Sequence, residues 1–150
     1  MRFSLDANLL CYAFDPREAQ RRKQAIELID RARFADCVLT LQSLGEFYAV
    51  STRKFGLPKE QAEAYVQDFR RSFVIEAADL DCLTAAIALN RAHGTHFWDA
   101  LLCATAEKAG CTLLFSEDGQ DRRQLGAILI ANPFNPANRE LLDAALPPSD

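Results

Sequence analysis

Short apolar runs alternate with longer segments of helical spacing along most of this chain. The apolar runs are rich in Val, Ile, Leu and Phe and lie at residues 2–5, 37–40, 73–75, 111–115 and 127–131. Between them, helical spacing is found at residues 9–14, 18–34, 41–56, 58–72, 79–93 and 97–109. Strands that alternate with helices build βαβ units and a parallel sheet covered on both faces. We therefore predict an α/β fold, a three-layer α/β/α sandwich with a mainly parallel central sheet.

The length predicts one domain over residues 1–150, because a chain of this size with 49% hydrophobic residues can bury one substantial core. No stretch approaches the roughly 20 consecutive apolar residues that a membrane helix requires. The expectation is a soluble, cytoplasmic protein without a membrane segment.

The five cysteines are odd in number and contain no Cys-x-x-Cys pair. This scatter favours neither a disulfide framework nor a zinc site. We expect the cysteines to be small buried hydrophobic residues.

The formal net charge of -4 argues against a protein that coats nucleic acid with a uniformly basic surface. Arginine and lysine are nevertheless grouped, at residues 17–23, 31–33, 53–54, 70–71 and 122–123. Several acidic residues, in contrast, stand alone in apolar surroundings.

Four of these acidic residues occupy positions where a site is expected. Asp6 and Asp118 come directly after apolar runs, and in open parallel sheets sites form beyond the carboxyl ends of the strands. Glu46 and Asp99 lie in the first turns of mostly apolar helices, so we expect both carboxylates to be shielded from water. A buried carboxylate without a partner is unfavourable.

Carboxylates that converge at one edge of a sheet repel one another unless a cation is present. Mg²⁺ and Mn²⁺ prefer oxygen ligands, and such ions can activate water and neutralise charge on a phosphodiester. The four acids together predict metal-dependent phosphodiester hydrolysis.

Each acid also has a purely structural interpretation. Glu46 completes a capping-box pattern with Ser43, and Asp99 could simply favour the positive end of its helix. Asp6 could form a turn, and Asp118 followed by Gly119 is a common turn dipeptide. We treat His96 as a helix-start or packing residue and assign it no role.

At these residues the chain resembles the PIN-domain nucleases, and most closely the VapC-type toxins of bacterial toxin-antitoxin pairs. The resemblance extends over nearly the whole chain. It is carried by four stretches in the family's order: the first strand with Asp6 and Asn8, the helix with Glu46, the Phe-Trp dipeptide before Asp99, and the late strand followed by Ser116 and Asp118.

The resemblance implies endonucleolytic cleavage of RNA by water that Mg²⁺ or Mn²⁺ activates. Asp6 and Asp99 would be the central metal ligands, and Glu46 and Asp118 would complete the cluster. From the second layer, Asn8 and Ser116 would orient ligands or phosphate.

The family also implies a homodimer and a cognate antitoxin protein, a segment of which lies in a groove between helices and blocks the site. We place that groove at the helical segments 18–34 and 58–72, because both carry apolar stripes.

Two departures from the family pattern bear on the site. Position 7 is Ala where the family often has Thr or Ser, which removes a polar contact beside Asp6. The fourth acid is ambiguous among Glu117, Asp118 and Asp121, and we favour Asp118 because it follows Ser116 at the family's usual offset.

Three other interpretations remain open at the level of the sequence. A phosphoryl-transfer enzyme with Asp6 as nucleophile usually has a second acid two residues later, where this chain has Asn8. A non-catalytic RNA- or partner-binding module could carry a vestigial acidic cluster. Finally, the acids could be structural only.

Overall fold

Helices and strands alternate as the sequence predicts in this computed structural model, which describes residues 1–148. The prediction of one domain over residues 1–150 includes two residues outside that range. The strands are β1 (Phe3–Leu5), β2 (Val38–Thr40), β3 (Val74–Glu76), β4 (Leu113–Phe115), β5 (Arg123–Leu125) and β6 (Ile128–Ala131). The α-helices are α1 (Ala7–Tyr12), α2 (Ala19–Ala32), α3 (Leu41–Arg53), α4 (Lys59–Ser72), α5 (Leu80–His93), α6 (Phe97–Lys108) and α7 (Arg139–Ala145).

The sheet is mainly parallel, which confirms the predicted fold class. Its central part has the order β1-β4-β6-β5, in which β1, β4 and β6 are parallel and β5 runs antiparallel to β6. Strands β2 and β3 form a parallel pair beside β1, joined to it by one bridge between Phe3 and Cys37. All of the parallel strands therefore end at the same edge.

The alternation of side chains along β4 explains why helices cover both faces. Leu113 and Phe115 belong to the core cluster beneath α1 to α4, whereas Leu114 belongs to the cluster beneath α6. Since successive side chains of a strand point to opposite faces, each short apolar strand supplies both cores. The three-layer α/β/α sandwich follows from this arrangement.

Helices α5 and α6 pack against each other through small residues. Cys82 and Ala86 of α5 and Ala100 and Ala104 of α6 form a buried cluster. The Asp79 carboxylate caps the start of α5 by accepting a hydrogen bond from the Cys82 backbone N–H (2.9 Å). The small-residue cluster fixes α6 relative to α5.

Strand β5 was not predicted from the sequence. Only Leu125 of its three residues is buried, so the strand carries no apolar run. It forms because Gly126, at a φ of 57°, begins a two-residue turn that returns the chain into β6.

The apolar sequence of residues 97–109 predicts a helix enclosed by protein, and this prediction is wrong for the first turn of α6. Its residues from Leu102 to Ala106 are buried, but the Trp98 side chain is 55% exposed. The cysteines behave as expected, and all five are buried. Within residues 1–148, none of the helices has both the length and the apolar character needed to cross a bilayer.

Candidate active site

The candidate site lies at the edge where β1 and β4 end. The Asp6 backbone N–H donates to the Phe115 carbonyl oxygen (3.0 Å), so the residue after β1 is still fixed to the end of β4. Ser116 is fixed in the same way, since its N–H donates to the Ala131 oxygen at the end of β6 (3.0 Å). The loop that contains Asp118 leaves the sheet at this point.

Asp6 is the most restrained of the four acids. It is 7% exposed, and its Oδ2 accepts a hydrogen bond from the Ser116 hydroxyl (2.8 Å). Although Asp6 occupies the N-cap position of α1, its side chain makes no capping hydrogen bond. The carboxylate is therefore available to the site.

Asp118 is held by the two residues that were expected to orient ligands from the second layer. The Asn8 amide donates to Asp118 Oδ2 (2.9 Å), and the Asp118 backbone N–H donates to the Ser116 hydroxyl oxygen (3.1 Å). Because Ser116 also donates to Asp6, one hydroxyl group links the two acids.

Glu46 and Asp99 approach from α3 and α6. The Gln42 amide nitrogen donates to Glu46 Oε1 (2.9 Å) and to the Trp98 carbonyl oxygen (3.0 Å). This double contact connects the helix that carries Glu46 with the turn that carries Asp99.

The capping-box interpretation of Glu46 is not what the structure has. Helix α3 begins at Leu41, and its cap is Thr40, whose side-chain oxygen accepts from the Ser43 N–H (3.1 Å). Ser43 is thus inside the helix, and Glu46 lies beyond the capping positions. Its carboxylate serves no capping role.

The expectation that Glu46 and Asp99 are shielded from water is wrong. Both are exposed, as is Asp118, and only Asp6 is buried. The apolar neighbours Leu44, Phe47 and Leu102 lie on the buried faces of these helices, so they do not cover the two carboxylates.

A small cavity of about 50 Å³ brings three of the four acids together. Asp6, Asp99 and Asp118 line it, with Ser116, Thr95 and Arg123. Glu46 is not part of this lining, although its charge still acts on Asp6. Neither Thr95 nor Arg123 was assigned to the site from the sequence. Arg123 was noted only as part of a basic pair, and the packing of α6 and β5 brings both residues to the cavity.

The electrostatics of the site reflect uncompensated negative charge. Burial, and to a smaller extent the Asp118 and Glu46 carboxylates, raise the pKa of Asp6 to about 7, against the opposing hydrogen bond from Ser116. Partial desolvation and then the Asp118 carboxylate raise the pKa of Asp99. Within residues 1–148, none of the four acids forms an ion pair with lysine or arginine.

This donor set fits a hard divalent cation in its chemistry. Asp6, Asp99 and Asp118 line the cavity with carboxylate oxygens, which are the ligands that Mg²⁺ and Mn²⁺ prefer. In the described part of the chain, however, no three Asp, Glu, His or Cys side chains are already placed to hold one ion. Binding of one ion by Asp6, Asp99 and Asp118 together would therefore require side-chain movement.

The other two candidates for the fourth acid have different partners. Glu117 accepts a hydrogen bond from the Tyr12 hydroxyl and lies 3.7 Å from Arg21. Asp121 accepts hydrogen bonds from the Asn132 N–H (2.8 Å) and from the amides of Asn135 and Asn138 (2.8 and 3.0 Å). Asp118 is the one of the three that lines the cavity with Asp6 and Asp99.

Gln42 is a further residue of the site that was not predicted from the sequence. It lies four residues before Glu46 on α3, and residues at this spacing share a helix face. That spacing was a usable signal. The hydrogen bond from Gln42 to the Trp98 carbonyl depends on tertiary packing and could not be predicted from the sequence.

The model of the PIN domain family matches residues 4–124 of the chain. No curated protein sequence matches it. The fold is similar to that of a toxin-antitoxin complex from Klebsiella pneumoniae, with 18% sequence identity, a TM-score of 0.65, and coverage of 87% of this chain and 97% of that chain. It is also similar to VapC20 of Mycobacterium tuberculosis, a toxin that cleaves the sarcin-ricin loop (20% identity, TM-score 0.64, 79% of this chain and 91% of that chain). A third similar structure is VapBC2 from Rickettsia felis bound to a DNA fragment from its promoter (19% identity, TM-score 0.62, 88% and 98%).

Proposed function

This chain belongs to the PIN domain family, and we propose that it is a metal-dependent endoribonuclease that acts as the toxin of a toxin-antitoxin pair. The observation that carries the proposal is the convergence of Asp6, Asp99 and Asp118, distant in sequence, on one cavity at the carboxyl edge of the sheet. Arg123 also lines the cavity, but none of the three acids forms an ion pair with it or with another lysine or arginine of the described residues, which suits a site that binds a divalent ion.

In this proposal Asp6, Asp99 and Asp118 hold Mg²⁺ or Mn²⁺, and Glu46 completes the acidic set. The ion supplies activation of water and neutralisation of charge on the phosphodiester. Ser116 keeps the Asp6 carboxylate oriented, and Asn8 does the same for Asp118.

Asp6 couples metal binding to proton release. Since its pKa is raised to about 7, the metal-free carboxyl group is partly protonated near neutral pH. A carboxylate must lose its proton to bind a metal, so affinity for the ion increases as the pH rises.

The proposed antitoxin site is the groove between α2 and α4. This groove has a volume of about 420 Å³, and its apolar lining includes Phe14, Ile26, Ile29, Tyr65 and Phe69. Arg33 crosses it to pair with Asp68 (2.8 Å), so charged groups border the apolar floor. An amphipathic segment of an antitoxin protein fits such a surface, and an antitoxin complex that leaves α2 and α4 unprotected from amide exchange would contradict this placement.

The proposed homodimer uses α5. Leu80, Leu83 and Ile87 are 80%, 40% and 44% exposed and share one face of the helix. A second copy of the chain would cover this row.

One observation favours an alternative, a non-catalytic RNA- or partner-binding module with a vestigial acidic site. The exposed acids are not arranged as ready metal ligands in the described residues. Mn²⁺ titration separates the two functions, because an ion that binds the folded chain raises its thermal stability. A vestigial site gives no such increase.

The decisive experiment is cleavage of a pool of structured RNAs with Mg²⁺, with Mn²⁺ and with EDTA. The native chain is compared with the double variant Asp6→Asn/Asp99→Asn and with Glu140→Gln, which removes a carboxylate from the exposed α7 far along the chain. We expect metal-dependent cutting by the native chain and Glu140→Gln only. Equal cutting by all three preparations would indicate a contaminating nuclease and contradict the proposal, as would a native chain that binds metal and cuts nothing.

A further inference from the structure

The Trp98 indole is an exposed aromatic ring one residue from an acid of the candidate site. It is 55% exposed and directly precedes Asp99, which lines the acidic cavity. Trp98 therefore presents a large flat ring to solvent one residue from an acid of the cavity, where a ligand bound at the site can contact it.

The position of Trp98 is fixed from two directions. Its ring meets Phe97 edge to face, with a centroid distance of 5.0 Å and an interplanar angle of 75°. Phe97 in turn packs on the buried cluster between α5 and α6. Gln42 holds the Trp98 carbonyl oxygen (3.0 Å), so backbone and ring are both restrained.

The charge of the site indicates what kind of ligand group meets this ring. The acidic cluster repels phosphates unless a cation is bound, so an uncharged contact next to Asp99 adds affinity that the carboxylates do not oppose. Nucleobases supply such contacts, because each has a flat face that stacks on aromatic side chains.

We propose that Trp98 stacks an unpaired nucleobase next to the phosphodiester that the site cuts. This inference rests on the proposed ribonuclease function and adds a requirement to it: the RNA must offer a single-stranded or flipped-out base at the cleavage position. Trp98 is then a specificity-determining residue, and it does no chemistry.

The first test uses the fluorescence of Trp98, the only tryptophan of the chain. A hairpin RNA that the native chain cuts is mixed with it in Mg²⁺ by stopped flow, and emission is recorded before cleavage. The same hairpin with abasic loop nucleosides is the matched control. We expect the intact loop to quench the emission and the abasic loop to leave most of it, whereas equal effects of the two RNAs would overturn the proposal.

The second test is a kinetic comparison of Trp98→Phe, Trp98→Leu and Phe34→Leu. Phe34 is 83% exposed at the end of α2, so its variant controls for the loss of an exposed aromatic ring elsewhere. We expect Trp98→Leu to raise KM by about tenfold or more with kcat nearly unchanged, as the loss of one stacked base predicts. Trp98→Phe should recover most of this affinity, and Phe34→Leu should match the native chain.

The outcomes separate this inference from the proposed function. A chain that cuts no RNA overturns both. A chain that cuts RNA with an unchanged KM in Trp98→Leu overturns the stacking role alone. If the Trp98 emission changes with protein concentration but not with added RNA, Trp98 contacts a second copy of the chain. This result would also overturn the stacking role.

Discussion

Asp6 is nearly inaccessible to water and yet has no cationic partner among the described side chains. Ser116 offers it one hydrogen bond, while Asp118 and Glu46 add negative charge nearby. The hydrogen bond from Ser116 favours the ionised carboxylate, but burial and the two neighbouring carboxylates disfavour it more strongly. The residue therefore lowers the stability of the metal-free protein.

The first prediction concerns this loss of stability in the metal-free protein. The pKa of Asp6 is raised from 3.8 to about 7, so between these pH values the folded chain keeps a proton that the unfolded chain releases. The free energy of unfolding attributable to Asp6 therefore falls as the pH rises through this range, by up to about 4 kcal/mol. Urea unfolding in EDTA at pH 5 and pH 8 should show Asp6→Asn gaining stability relative to the native chain at the higher pH.

Added Mg²⁺ provides the control for that measurement. At pH 8 it should stabilise the native chain and leave Asp6→Asn unchanged. Identical pH profiles of the two proteins in EDTA would contradict the buried, uncompensated carboxylate.

The second prediction concerns Asn8, whose amide holds the Asp118 carboxylate (2.9 Å). Removing the amide in Asn8→Ala should weaken Mn²⁺ binding by roughly 10–100-fold, the usual effect of losing a group that orients a metal ligand. Calorimetric titration with Mn²⁺ measures this. Binding as tight as that of the native chain would mean that Asp118 is not a ligand or is held by other contacts.

At the scale of elements, the start of α3 determines where Glu46 stands. The buried Thr40 is both the last residue of β2 and the cap of α3, so strand and helix share one residue. Any shift of the helix start would move Gln42 and Glu46 together. The capping contact thereby positions an acid six residues later.

The third prediction follows from this cap. Thr40→Val keeps the shape of the side chain but removes the acceptor for the Ser43 N–H, which should cost about 1 kcal/mol. The melting temperature should drop by roughly 2–4 °C. In Thr40→Ser the hydroxyl remains and the drop should be smaller, so equal melting of Thr40→Val and the native chain would show that the cap is unimportant.

At the scale of the whole molecule, two faces of the helical layers are incompletely covered. One is the groove between α2 and α4, and the other is the row of exposed apolar residues on α5. They belong to different helices, so an antitoxin segment and a second copy of the chain can in principle occupy them at once. The prediction of a single domain over residues 1–150 likewise concerns the whole molecule and awaits its own test, such as one cooperative unfolding transition.

The fourth prediction addresses the α5 face. Leu83→Glu and Ile87→Glu should each convert a dimer to a monomer, because a charge buried in an apolar interface without a partner is strongly unfavourable. Light scattering after size exclusion measures the mass. Ala85→Glu adds the same charge to an exposed position on another side of α5 and should stay dimeric; a monomeric native chain would contradict the proposed interface.

The sequence was sufficient for the order of the elements from β1 to β4, for β6 and for the mainly parallel sheet, but not for β5 or α7. Short continuous apolar runs indicate the buried strands, and apolar residues three or four positions apart indicate the helices. Both patterns are local properties of the chain. Strand β5 could not be predicted in this way because its polar residues show no period, and its pairing depends on β6. The resemblance to PIN-domain nucleases, which rests on Asp6, Glu46, Asp99 and Asp118, could also be recognised in the sequence. The match to the PIN domain model confirms it.

Burial and side-chain partners were decided only by the folded chain. Apolar residues surround Glu46 and Asp99 in the sequence and suggested that both are shielded, but their exposure depends on which face of each helix packs against the protein. The choice of Asp118 over Glu117 and Asp121 stays a prediction. In the folded chain Asp118 lines the cavity with Asp6 and Asp99, whereas Glu117 is hydrogen-bonded to Tyr12 and Asp121 to three asparagines. Hydrophobic periodicity is a local property, so it can be recognised in the sequence. The hydrogen bond between Ser116 and Asp6 joins residues more than a hundred positions apart, and desolvation likewise depends on residues distant in sequence. Only the packed sheet brings such residues together.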